Sequence, residues 1–155
     1  MIFRTYSKKD LKEVTQLFYD TIHTINIRDY SQEQVNVWAP EKFDLEKWDD
    51  RMSNSYSVLA FNVEKLAGFA TLVAHSLVDF FYIHKDFQGR GVGRMLYELL
   101  EKEALELGTE ILTTEASITA KPFFERMGFE VEEKQSKLVK GVELNNFRMK
   151  KIISS

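Results

Sequence analysis

No cysteine occurs in the 155 residues. That excludes disulfides, thiolate metal sites and cysteine nucleophiles, and no metal centre is expected. Proline is nearly absent: only Pro40 and Pro122 occur, and no linker, repeat or low-complexity tract divides the chain. A single domain over residues 1–155 is therefore expected, long enough to bury a core. No apolar run could span a bilayer, so no membrane partner is expected. The start, MIFRTYSKKD, lacks the apolar stretch of a signal peptide, which makes the cytoplasm the expected location. Basic charge is not in excess either. The 21 Lys and Arg against 24 Asp and Glu leave a net charge of -3, which argues against a nucleic-acid partner.

What is present has a readable order. Ile2 to Tyr6 has strand composition. Ser7 and Asp10 form a capping-box start, and Leu11, Val14, Leu17, Phe18, Thr21 and Ile22 keep helical spacing from Asp10 to about Thr24. SQEQVNVWA predicts a second helix, capped by Ser31 and stopped by Pro40. DLEKWDDRM predicts a further turn or two capped by Asp44. YSVLAFNV, LAGFATLVA and LVDFFYIH predict three successive strands. Val92, Met95, Leu96, Leu99, Leu100 and Leu107 mark one face of a long helix that Gly108 ends. EILTTEA is a strand, TAKPFFERM a helix ended by Gly128, and a final strand pair closes the chain. The expected class is α/β with a mixed, mostly antiparallel sheet, in the order β-α-α-β-β-β-α-β-α-β-β. One parallel crossover spans Gly91 to Glu115.

The glycines concentrate in His84–Leu96, HKDFQGRGVGRML. A Walker A loop needs Lys and then Ser or Thr after its last glycine, whereas Arg94 and Met95 follow Gly93. A dinucleotide fingerprint needs a small residue at Arg94, and a run of parallel β-α units rather than the hairpins seen here. What remains is a set of backbone N–H groups freed by Gly89, Gly91 and Gly93. They sit beside a helix N-terminus, with Arg90 and Arg94 adding charge for a diphosphate. The alternative is a glycine-rich turn carrying two solvated arginines.

QGRGVG, preceded by FFYIHKDF and followed by an amphipathic helix, a strand and PFFERMGF, resembles the GNAT superfamily of acetyl-CoA-dependent N-acetyltransferases. The likeness runs from about residue 56 to 131, and the element order fits the whole chain. The resemblance implies acetyl-CoA as cofactor. The amides of Gln88, Gly89, Arg90, Gly91, Val92, Gly93 and Arg94 would hold its pyrophosphate. The strand end at Phe81, Tyr82 and Ile83 would pair with the pantetheine, Ser117 would contact it, and Phe124 would flank the cofactor. It also implies the GNAT fold and is compatible with a homodimer.

Acetyl transfer to an amine requires proton removal from a group of pKa near 10.4, a cost of roughly 4–5 kcal/mol at neutral pH. A thiol leaves with pKa near 8.5, a problem of only about 2 kcal/mol. The base therefore matters more than the acid. Two carboxylates are candidates: Asp79, within an apolar strand, and Glu115, at a strand's carboxyl end. Alternation places Asp79 on one face with Phe81 and Ile83, where desolvation would raise its pKa. The alternative is a solvated or salt-bridged edge residue. The family often carries a tyrosine acid where this chain has Phe124, so the thiolate would leave unassisted or be protonated by water, Tyr82 or another tyrosine. His23, Tyr30 and Trp38 are candidate acceptor-binding residues, for a primary amine of a small molecule or peptide. The acidic run Glu41 to Asp50 favours a cationic amine, or is simply a solvated face. Two other readings remain: an acyl-CoA sensor without turnover, and a transferase of longer acyl groups.

Overall fold

The computed structural model describes residues 1–154. Seven strands form one sheet: β1 (Ile2–Thr5), β2 (Tyr56–Asn62), β3 (Lys65–Val73), β4 (Leu77–Ile83), β5 (Ile111–Ser117), β6 (Glu130–Val139) and β7 (Val142–Ile152). Their order across the sheet is β1-β2-β3-β4-β5-β7-β6. Every neighbouring pair is antiparallel except β4 with β5. The mixed α/β class and the single parallel crossover are as expected.

Five helices cover the sheet: α1 (Leu11–Thr24), α2 (Gln32–Trp38), α3 (Leu45–Ser53), α4 (Val92–Glu106) and α5 (Lys121–Arg126). The segment expected to make a turn or two is the full helix α3. Asp44 caps it, its carboxylate accepting from the Lys47 amide at 3.2 Å. Met52 from this short helix is buried, so tertiary packing stabilises a segment whose own propensity is marginal.

The sheet buries both faces. Leu96 and Leu100 of α4 pack with Val58, Ala70 and Leu112 on one side. Val14, Phe18 and Ile22 of α1 pack with Leu59 and Phe69 on the other. This double cover explains why β2 and β3 read as nearly continuous apolar runs rather than alternating ones. Arg4 on β1 donates to both carboxylate oxygens of Asp10, at 2.8 and 2.7 Å, and the Ser7 amide donates to Asp10 at 2.9 Å. The capping box therefore also ties β1 to the start of α1.

Two departures from regularity create the site. First, β4 carries a bulge. Ala70 faces Phe81 and Leu72 faces Val78, so one residue of β3 opposes both Asp79 and Phe80. The extra amide is satisfied locally: Phe80 N–H donates to Thr71 Oγ1 at 2.9 Å. Second, β4 and β5 pair only at Leu77 with Thr113 and Val78 with Thr114. Beyond that point the two strands part, and each keeps its sheet neighbour on the far side only.

Candidate active site

The parting of β4 and β5 opens a cleft of about 510 Å³ between their facing edges. Backbone N–H and C=O groups on such edges need partners, and an extended chain laid between them can supply them. Phe81, Tyr82 and Ile83 line one wall, and Glu115, Ala116 and Ser117 line the other.

The glycine loop closes one end of this cleft. Gly91 is the residue before α4, with φ of +82°, and no side chain caps the helix. The first N–H groups of α4 are thus left to a ligand or solvent, at the positive end of the helix dipole. A Cβ at Gly89 or Gly91 would meet nothing within 4 Å, so the space beside the loop is open. Gln88, Gly89, Gly91, Val92, Gly93 and Arg94 line the cleft. Arg90 does not line it; its guanidinium lies over the Phe87 ring at 5.5 Å. A second guanidinium on the cleft wall comes instead from Arg126 of α5. Gln88 Nε2 donates to Ile83 O at 2.6 Å, which anchors the loop to the end of β4.

Thr21 of α1 was invisible as a site residue from sequence, where it reads as one more position on the helix's apolar face. Its Oγ1 is the one buried side-chain N or O atom without a hydrogen-bond partner among the described residues, and Thr21 lines the cleft. An unsatisfied buried hydroxyl costs about 1–3 kcal/mol, so a polar ligand group in the cleft would relieve it. Asn26, also buried, donates weakly to Ser117 Oγ at 3.5 Å, and the Ala120 amide donates to the same oxygen at 3.0 Å.

A second cavity, of about 460 Å³, lies on the α1–α3 side of the sheet. Its inner wall is aromatic. Trp48 stacks on Phe80 with centroids 4.6 Å apart and planes 7° off parallel, and Phe18 meets both edge-on. Trp38, Asp79, Tyr82, Glu115 and Ser117 line both cavities. The two spaces therefore meet at the carboxyl ends of β4 and β5.

The bulge overturns one expectation at this junction. Asp79 does not share a face with Phe81 and Ile83. The extra residue carries it to the side of Phe80, where Arg51 of α3 donates to Asp79 Oδ2 through Nε at 2.9 Å and Nη2 at 2.5 Å. The same guanidinium lies 4.2 Å above the Phe80 ring. Asp79 is salt-bridged, the alternative that sequence had left open. Glu115 is exposed, and its carboxylate has neither an ion-pair nor a hydrogen-bond partner among the described residues.

The remaining residues sort themselves by position. Phe81 and Phe124 meet edge-on, centroids 5.4 Å apart; Phe124 is 2% exposed and has no proton to give. Burial pushes the Tyr82 phenol well above its ordinary pKa, the Asp79 carboxylate adds to that push, and the Trp38 side chain and Arg51 oppose it. Tyr82 is thus a protonated O–H donor at neutral pH. Tyr30 lines the second cavity, but its hydroxyl is already engaged. It donates to Asn145 O at 2.6 Å and accepts from the Ile118 amide at 2.9 Å. Trp38 meets Tyr30 edge-on and is a wall of both spaces. His23 lines neither cavity. Its ring stacks on Tyr19, and Nε2 lies 2.8 Å from Ala39 O.

Comparison with known proteins agrees with this geometry. Residues 26–151 match the acetyltransferase (GNAT) domain family. The chain is 30% identical over 147 residues to YafP, an uncharacterized N-acetyltransferase of Escherichia coli, covering 95% of this chain and 93% of that protein. A GCN5-related N-acetyltransferase of Rhodopseudomonas palustris superposes with a TM-score of 0.94 at 32% identity, over 97% of this chain and 94% of the other. The fold is shared with the PaiA N-acetyltransferase of Thermoplasma acidophilum, solved with coenzyme A, at a TM-score of 0.80 and 20% identity over 97% and 98% of the chains. A split sheet of this kind, with these relatives, defines an acyltransferase. More particularly, the chain belongs to the GNAT family of acetyltransferases.

Proposed function

We propose that this enzyme moves an acetyl group from acetyl-CoA to a primary amine of a small molecule or peptide, by direct attack. One observation carries the reading: two cavities of different character meet at Asp79, Tyr82 and Glu115. The residues of the first cavity fit coenzyme A. Gly89 and Gly91 leave open space beside the uncapped start of α4, Arg94 and Arg126 supply cations, and Thr21 Oγ1 awaits a polar partner. The free edges of β4 and β5 match an extended arm that carries amides.

Acetyl-CoA supplies the activated acyl carbon, at which the C–N bond forms as the C–S bond breaks. The free edge of β4 offers N–H groups to the acyl oxygen, where negative charge develops. Glu115, unpaired and at the junction, takes the proton that the amine loses. Asp79, held by Arg51, orients the amine. Tyr82 keeps its proton through the neutral range and donates a hydrogen bond to the departing sulfur, which takes its proton from water, in place of the acid that Phe124 cannot be. A protonated phenol at the junction supports turnover over a sensor role. The test is thiol release from acetyl-CoA by the purified protein against a panel of amines. Release that depends on Glu115 supports the reading. Tight acetyl-CoA binding with no release for any amine returns the sensor reading.

A further inference from the structure

The Arg51–Asp79 pair is half used. Both guanidinium contacts go to one oxygen, Asp79 Oδ2. Among the described residues, Asp79 Oδ1 and Arg51 Nη1 have no hydrogen-bond partner. A carboxylate accepts through both oxygens and a guanidinium donates through five N–H groups, so each member retains capacity for a ligand. Their placement is ordered. Asp79 lines both cavities, whereas Arg51 lines only the second. A group held by Asp79 thus sits nearer the cofactor cleft than one held by Arg51.

The rest of the second cavity has the same polarity. Lys47 lies one helical turn before Arg51 on α3, and Lys137 comes from β6. Both line the cavity, and neither has a carboxylate within 4.0 Å among the described residues. Asp44, the other acid there, accepts from the Lys47 amide as the α3 cap. The acids at Asp79 and Glu115 mark the junction, and cations dominate beyond it. The wall between is aromatic, built on Trp48, Phe80 and Phe43.

We infer that the acceptor is an amine that also carries a carboxylate close to its nitrogen, an amino acid with an apolar or aromatic side chain. The ammonium or amine docks on Asp79 beside the cofactor cleft. The carboxylate docks on Arg51, one step farther from it, and the side chain lies on the Trp48–Phe80 wall. The guanidinium stays packed on Phe80, which fixes its plane for a two-point contact with a carboxylate. The acidic run around α3 does not call for a purely cationic acceptor, because Arg51 and Lys47 offset it where it faces the cavity. This inference rests on the acetyltransfer reading for the location of the amine.

The test uses the intact protein loaded with coenzyme A and three ligands of one shape: phenylalanine, phenylalaninamide and phenethylamine. Calorimetry gives their affinities without turnover, and thiol release from acetyl-CoA gives kcat/KM. The preference for the acid over the amide, taken as a ratio in wild type and variant, removes the difference in amine basicity. Loss of a charge-assisted contact predicts that Arg51→Gln lowers this ratio by about tenfold. Arg51→Lys, which keeps the charge but not the fork, falls between. An unchanged ratio, or wild-type binding that favours the amide, overturns the inference. So does coenzyme A binding without binding of any of the three at millimolar concentration. If coenzyme A itself fails to bind, the acetyltransfer reading falls, while the ligand ratios still decide this one.

Discussion

Gly93 and Phe123 face each other closely on the wall of the cleft beside the glycine loop: a Cβ on Gly93 would lie 3.1 Å from Phe123 Cε1 and 3.6 Å from Phe81 Cε1. The first turn of α4 and the ring of α5 are that close because position 93 carries no side chain. Gly93→Ala therefore forces Phe123 to shift by a few tenths of an ångström, and Gly93→Val forces it into the cleft. We expect coenzyme A affinity to fall about tenfold in Gly93→Val, with a smaller loss in Gly93→Ala, on the scale of overpacking costs of 1–3 kcal/mol. Calorimetric titration checks it. Trimming the ring with Phe123→Leu should restore much of the loss, and equal losses with and without the trim would reject the steric account.

Gly91 makes the contrasting case. Its φ of +82° disfavours any side chain, yet its Cβ would meet nothing. Gly91→Ala should cost about 1–2 kcal/mol of stability by conformation alone. Urea unfolding should show a lower midpoint at unchanged slope.

Glu115 and Asp79 should separate kinetically. Glu115→Gln removes the free carboxylate and is expected to lower kcat about a hundredfold, with KM for acetyl-CoA unchanged. Asp79→Asn breaks the pair with Arg51, and on the proposed orienting role its larger effect should fall on acceptor KM. Steady-state thiol release distinguishes them; the opposite pattern would exchange their roles.

Tyr82→Phe tests the hydrogen bond to the departing sulfur. Because the thiol's own pKa lies near 8.5, the group can contribute at most about 2 kcal/mol near neutral pH, so we expect kcat to fall by roughly tenfold. The phenol's pKa is raised, so its protonated form persists beyond the ordinary tyrosine value of 10.0. The wild-type rate should therefore show no alkaline limb from this group up to about pH 10. A limb near pH 9 that Tyr82→Phe abolishes would contradict the raised value.

Asp10 links pH to stability. The Arg4 hydrogen bonds hold its carboxyl below the ordinary 3.8, burial opposes them, and the Ser7 amide adds to the lowering. A depressed carboxylate contributes stability that is complete above its unfolded pKa and is lost as pH falls through the lower folded value. Asp10→Asn should cost about 2 kcal/mol at pH 7. The difference from wild type should shrink only below pH 3.8, as followed by thermal unfolding across an acid series.

Much of this was legible along the chain because it is local. The Ser7–Asp10 cap, the α4 periodicity and the glycine run with its flanking strand and helix are decided by neighbours in sequence, and they locate the cleft beside the glycine loop and the family. The second cavity was not legible, because it is assembled across distance. A one-residue bulge, set against Thr71 on the neighbouring strand, reverses the alternation that put Asp79 with Phe81. Arg51, 28 residues from Asp79, reaches it only because α3 packs against this face of the sheet. His23 carries suitable chemistry but is held on Tyr19 and Ala39, away from both cavities. Sequence by itself determined the glycine loop at the uncapped start of α4, since backbone amides freed by glycines need no partner chosen elsewhere. Only the tertiary structure decided which side chains line the second cavity, since pairing of charges and stacking of rings depend on how distant elements come to rest on one another.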